Sequence, residues 1–142
     1  MKKKCIAALS FFLFLLLNIS SAQTVSQQAK LTASDAEAGD YFGWPVFIDG
    51  NYAILGAVGE DAGGTDAGAA YVFVRSGVSW SQQAKLTASD AEAADVFGNS
   101  VSIDGDYAIV GAEEEDAGGT DAGAAYVFVR SGTSWSQLAK IT

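Results

Sequence analysis

A block of 55 residues is written twice into this chain. The run Gln-Ala-Lys-Leu-Thr-Ala-Ser-Asp at 28–35 recurs at 83–90, and its opening returns as Leu-Ala-Lys-Ile-Thr at 138–142. Laid on one another at that spacing, residues 28–87 and 83–142 match at 48 of 60 positions. Copies this similar imply one supersecondary unit per copy. Repeats with periods of roughly 20 to 50 residues build solenoids, propellers or arrays, because each unit buries its apolar face only against a neighbour.

Within a copy the signals are those of short strands. Val101, Ser102 and Ile103 lead through Asp104-Gly105-Asp106 into Tyr107 to Gly111, and Val46, Phe47 and Ile48 lead through Asp49-Gly50-Asn51 into Tyr52 to Leu55. A β-rich run, an Asp-Gly turn and a second β-rich run predict a tight hairpin. A loop of Asp, Gly and Thr follows, then residues 69–75 or 124–130, which are apolar at consecutive positions and so need cover on both faces. The last run, 80–86 or 135–141, alternates apolar residues with Ser, Gln and Lys, as a half-exposed outer strand does, with the lysine guarding the edge. No window holds a 3.6-residue period long enough for a helix. The expected fold is all-β: two four-stranded antiparallel propeller blades, about 41–87 and about 96–142, preceded by an extra strand over 26–33. A β-sandwich is the alternative, and strict repetition favours the radial array.

Residues 1–22 read as a signal peptide: three lysines, an apolar run over 6–17, and small residues at Ser20 and Ala22 before a cut. The run falls short of the roughly 20 apolar residues that cross a bilayer, and Cys5 lies ahead of it rather than at a lipid-anchoring cut. The expected localisation is therefore secreted, at the cell surface or in a periplasm, with no membrane insertion after cleavage. Residues 23–142 would then carry 17 acidic against five basic residues, a formal charge of −12. Such a surface repels nucleic acid and anionic membranes and attracts cations or basic partners, although solubility alone is an equal reason for it. That segment has no cysteine for disulfides or thiolate–zinc sites, and the chain has no histidine for triads or imidazole-bound metals.

Phe42-Gly43 with Gly56-Ala57, repeated as Phe97-Gly98 with Gly111-Ala112, resembles the FG-GAP repeat of integrin α-chain-type β-propellers. The resemblance extends over essentially all of residues 23–142. It implies a propeller blade per repeat and an extracellular, adhesion-type binding role. The proline that the family places after Gly-Ala is replaced by Val58 and Glu113. Similar proteins carry an Asp-rich calcium loop between the first two strands, but here that connection is the short Asp49-Gly50-Asn51 or Asp104-Gly105-Asp106. So few carboxylates on a tight turn cannot supply the roughly six to eight oxygens calcium takes, and the family's calcium site is not carried over.

The acids gather elsewhere. Because successive strands are antiparallel, the loop between strands 2 and 3 and the loop entering the next blade open on one rim. Those loops hold 14 of the 17 acids. Three readings stand for them: turn chemistry by Asp and Gly, a weak calcium site bridging Glu60 or Asp61 with Asp66 and Asp116 with Asp121, or direct contact with a partner. Trp80, Trp135, Tyr71, Tyr126, Phe73 and Phe128 recur at the repeat period and read as packing. Trp44 has only Asn99 as its counterpart, so it is either a contact point of the first blade or a cap over an unpaired edge.

Complete propellers have about four to eight blades, and this sequence supplies two. It therefore reads as a segment of a larger propeller, as one unit of a ring of several copies, or as an open pair whose apolar faces invite self-association. The expected function is a non-enzymatic binding module for a protein or glycan at the cell surface. A purely structural repeat and an accessory domain of a propeller hydrolase are the alternatives. Carboxylate pairs that recur identically in each copy do not look like a catalytic constellation, which is normally unique.

Overall fold

The computed structural model describes residues 26–142, so the expected signal peptide at 1–22 lies outside the described residues. Eight strands follow in chain order: β1 (Val46–Asp49), β2 (Tyr52–Ala57), β3 (Ala69–Ser76), β4 (Ser79–Leu86), β5 (Ser100–Asp104), β6 (Tyr107–Ala112), β7 (Ala124–Ser131) and β8 (Ser134–Ile141). They form two four-stranded antiparallel sheets, β1-β2-β3-β4 and β5-β6-β7-β8, each a meander with neighbours in sequence order. The Asp-Gly hairpins form as expected. Asp49 pairs with Tyr52 and Asp104 with Tyr107, and the glycine after each Asp takes a positive φ of 53° or 56° that a side chain would resist.

The sheets stack face to face. Ile54, Ala70, Val72 and Leu86 of the first repeat meet Phe97, Ile103, Ala108, Val110, Tyr126 and Phe128 of the second in one core. Both faces of β3 are covered, as its unbroken apolar run requires, because Tyr71 and Phe73 point the other way into a second cluster with Ala53, Leu55 and Ala57. Phe42 and Phe97 close these clusters edge-to-face: Phe97 lies 5.4 Å from Tyr126 and 6.1 Å from Phe128, and Phe42 lies 5.5 and 6.1 Å from Tyr71 and Phe73.

The paired dipeptides have a steric reason. Gly98 donates its N–H to the Gly111 carbonyl of its own blade, and its own carbonyl lies against Gly56 of the preceding blade. A Cβ on Gly56 would stand 2.1 Å from that oxygen, and a Cβ on Gly98 would stand 2.3 Å from the Ala69 carbonyl. Blades approach this closely only where backbone meets backbone. Three further bonds stitch the junction: Ala94 N–H to Thr65 O (2.8 Å), Val96 N–H to Asp66 O (3.1 Å) and Phe97 N–H to Ala67 O (2.9 Å).

Two expectations need correction. Residues 26–33 carry no strand ladder, since their equivalent, residues 81–88, finds its ladder on β3 and the described chain has no blade ahead of β1 to offer one. Leu31 and Ala33 nevertheless pack on the first blade as Leu86 and Ala88 pack on the second. The outer strands do not alternate throughout. The register of β3 with β4 shifts between Val72 and Phe73, leaving Gln83 opposite no residue, and that of β7 with β8 shifts in the same way at Leu138. This β-bulge flips the facing of the strand, so Trp80 packs in one cluster while Ala84 and Leu86 pack in the other. Gln83 then accepts a 2.9 Å hydrogen bond from the Trp135 indole of the next blade.

Candidate functional site

The rim is built where the loop entering each blade meets the loop between its second and third strands. The element that joins them is the lysine of the outer strand. Lys85 reaches in from β4 and bonds Asp35 of the entering loop and Glu60 of the β2–β3 loop, both at 2.7 Å. Lys140 repeats this with Asp90 at 2.7 Å and Glu115 at 2.5 Å. The lysines are thus rim latches rather than edge guards, lying over the Tyr71 and Tyr126 rings at 5.6 and 5.4 Å. Tyr126 Oη donates to Asp90 at 3.0 Å, whereas the buried Tyr71 hydroxyl has no hydrogen-bond partner among the described residues.

This arrangement displaces the titrations of its members. Lys85 is pulled down by burial but raised further by its bonds to Asp35 and Glu60. Lys140 is raised by Asp90 first and Glu115 second. Asp35 and Asp90 are held below the usual carboxylate range, chiefly by the lysine bond. Tyr71 and Tyr126 are pushed up to about 12, by burial first and the neighbouring carboxylate second. A depressed carboxylate pKa contributes stability above its unfolded value that is lost as pH falls. A raised tyrosine pKa contributes stability below its unfolded value that is lost as pH rises. Thermal stability is therefore expected to hold a plateau from about pH 4 to about pH 10 and to decline on both sides. Calorimetry across that range on the native chain and on Lys140→Met checks it. An acid limb of equal steepness in the two proteins would show that the latch is not its cause.

Of the residues singled out for calcium, Glu60, Asp61 and Asp116 have carboxylates engaged in hydrogen bonds. Glu60 is buried, held by Lys85 and by the Ala62 N–H at 3.1 Å, and Glu115 does the same with Lys140 and Ala117. Asp61 Oδ1 accepts the N–H of Asp66 at 2.9 Å and Asp116 Oδ1 that of Asp121 at 2.8 Å. This closes a loop in which Asp66 and Asp121 take positive φ values of 56° and 52°. Asp40 and Asp95, also buried, accept the N–H groups of Glu37 and Glu92. Among the described residues no group of three or more acidic, cysteine or histidine side chains is placed to hold a metal ion. Sequence reasoning missed the latch because its partners lie 25 and 50 residues apart. The signal that could have found it was the recurrence of Lys, Asp and Glu together at one period.

Trp44 stands 73% exposed in front of β1, so it covers little of any edge. Tyr41, 71% exposed, stands beside it. With Phe42, Gly43 and Val58 they line an apolar groove. A second groove, of Tyr41, Val58, Gly59, Asp66, Ala94, Val96 and Glu114, runs on from Tyr41 between the two blades. Both aromatics belong to the first repeat alone, their counterparts being Val96 and Asn99.

No helix among the described residues is long and apolar enough to cross a membrane. A comparison with curated proteins finds no match. The family profile of the FG-GAP repeat matches residues 25–73 and again residues 80–128. The two matches are 55 residues apart, and the second begins in β4 and ends in β7, so a sequence unit is offset from a blade by one strand. Matched over more than half of its length, and with each Phe-Gly and Gly-Ala pair at a blade junction or its repeat equivalent, the chain belongs to the FG-GAP repeat family.

Proposed function

We propose that this β-propeller-type repeat module is a non-enzymatic, extracellular binding element of the adhesion type, taking a protein or glycan partner at a cell surface. The observation that supports it is the exposed Tyr41–Trp44 pair, present in one repeat only and set beside an acidic rim. Aromatics held rigid at low entropic cost are the side chains that most often dominate a recognition surface, and loop tips on a β scaffold are where such surfaces sit. The rim carboxylates shape the loops and give the surroundings a negative field that favours a partner with basic groups. We read them as turn formers rather than as a calcium site.

Binding of the fluorescently labelled protein to intact cells of its source tests this reading. Tyr41→Ala and Trp44→Ala are each expected to weaken binding by about tenfold, the size of a hot-spot residue, with unchanged melting temperature. Chelator and calcium should leave binding alone. Equal binding by native and variant proteins would sink the assignment of the site. No binding by the native protein would favour a structural repeat, and loss of binding in chelator would return the rim to the metal reading.

A further inference from the structure

The two ends of the blade pair are the two halves of the junction between them. Ile54 is fully buried against the second blade, while its repeat equivalent Ile109 is 42% exposed. Leu86 is 3% exposed and its equivalent Ile141 55%. On the opposite face Ile103 is 2% exposed, while the same residue one repeat earlier, Ile48, is 62% exposed. Val46, Phe47, Ile48, Leu55 and Leu31 border an open apolar depression there. In the three pairs Ile54 and Ile109, Leu86 and Ile141, and Ile103 and Ile48 the side chains are the same or nearly so, and what differs is the cover from an adjacent described blade.

The polar stitching is left open in the same register. Gly39, Tyr41 and Phe42 correspond to the three donors of the blade junction, and Thr120, Asp121 and Ala122 to its three acceptors. Among the described residues none of these donors or acceptors has a hydrogen-bond partner. Arg130 lies 4.5 Å from the Tyr52 ring across the junction, and the corresponding Arg75 and exposed Tyr107 sit on the two open faces. The backbone at Gly111 is bare in the manner of Gly56, except that it meets Ser100 Oγ instead of another blade.

We propose that these two faces bind each other between copies of the chain, head to tail, repeating the junction already present within one copy. The interface is heterologous, so it propagates, and the propeller rotation per blade closes it into a ring. A ring built from this 142-residue chain, with its two described blades per copy, has an even number of blades, from two to about four copies for a propeller of about four to eight blades. This inference does not depend on the binding role of the Tyr41–Trp44 groove.

Sedimentation equilibrium and native mass spectrometry of the purified chain test it, with three variants. Ile109→Asp and Gly111→Ala damage one face, and Ile48→Asp the other, all at positions that no other blade covers within one copy. The native chain is expected at a single mass of two to four copies and each variant at the mass of one. An equimolar mixture of Ile109→Asp with Ile48→Asp is expected to form a heterodimer, through the one pair of intact faces that the mixture still offers. A native chain that remains monomeric at 100-micromolar order would overturn the proposal and leave the faces to another blade or a different partner. So would a dimer broken by Ile109→Asp but untouched by Ile48→Asp, which is face-to-face pairing. Circular dichroism identifies any variant that misfolds, and Gly111→Ala, which adds no charge, then carries the test for its face.

Discussion

Phe97→Ala is expected to destabilise the fold by about 3–5 kcal/mol, the cost of emptying a fully buried aromatic site. Phe97 has no exposed surface, packs edge-to-face on Tyr126 and Phe128, and lies on the backbone of Gly68 at the blade junction. Its removal opens a void between sheets that other contacts hold apart, so collapse can recover little of the loss. Phe42→Ala, at the same place in the first repeat, is expected to cost about half as much, because that ring is only partly buried. Urea unfolding followed by tryptophan fluorescence reads both. Equal costs would mean that the blade junction adds nothing to the site.

The second large effect lies at a glycine. Gly56→Ala places a methyl group 2.1 Å from the Gly98 carbonyl oxygen, a backbone atom that cannot swing away, with Pro45 2.8 Å away on another side. The blades must part, and a loss of about 3 kcal/mol, the upper end for overpacking, is expected. Gly111→Ala is the control. Its new methyl group meets a serine hydroxyl that can rotate, so folding stability in dilute protein should change by less than about 0.5 kcal/mol. Thermal unfolding of the pair decides the matter, and a Gly56→Ala protein as stable as Gly111→Ala would refute the close-approach account of the motif.

Strand pairing was legible wherever the information is local. The Asp-Gly turns fix the β1–β2 and β5–β6 hairpins within a few residues, and the apolar run of β3 announces cover on both faces. The outer strand was legible only in part. Nothing in Trp-Ser-Gln-Gln-Ala-Lys-Leu marks Gln83 as unpaired, because a bulge is set by the partner strand and by the two cores that the strand must serve at once. The segment at 26–33 has the composition of a strand but lacks a partner, and a ladder needs two chains of backbone. At the rim, the concentration of acids was readable and their employment was not. A carboxylate beside glycines looks alike whether it waits for an ion, receives a lysine from 25 residues away as Glu60 does, or closes its own loop as Asp61 does.

The steric match of Phe-Gly with Gly-Ala across the blade junction also bears on how such a chain changes over generations. Each 55-residue unit carries both partners of the match, one for the unit before it and one for the unit after it. An unequal crossover between copies adds or removes a whole unit and leaves every remaining junction composed of the same residues. Length can therefore vary by recombination without new compensating substitutions. Divergence is then free to settle on positions such as Tyr41 and Trp44, which stand outside the match.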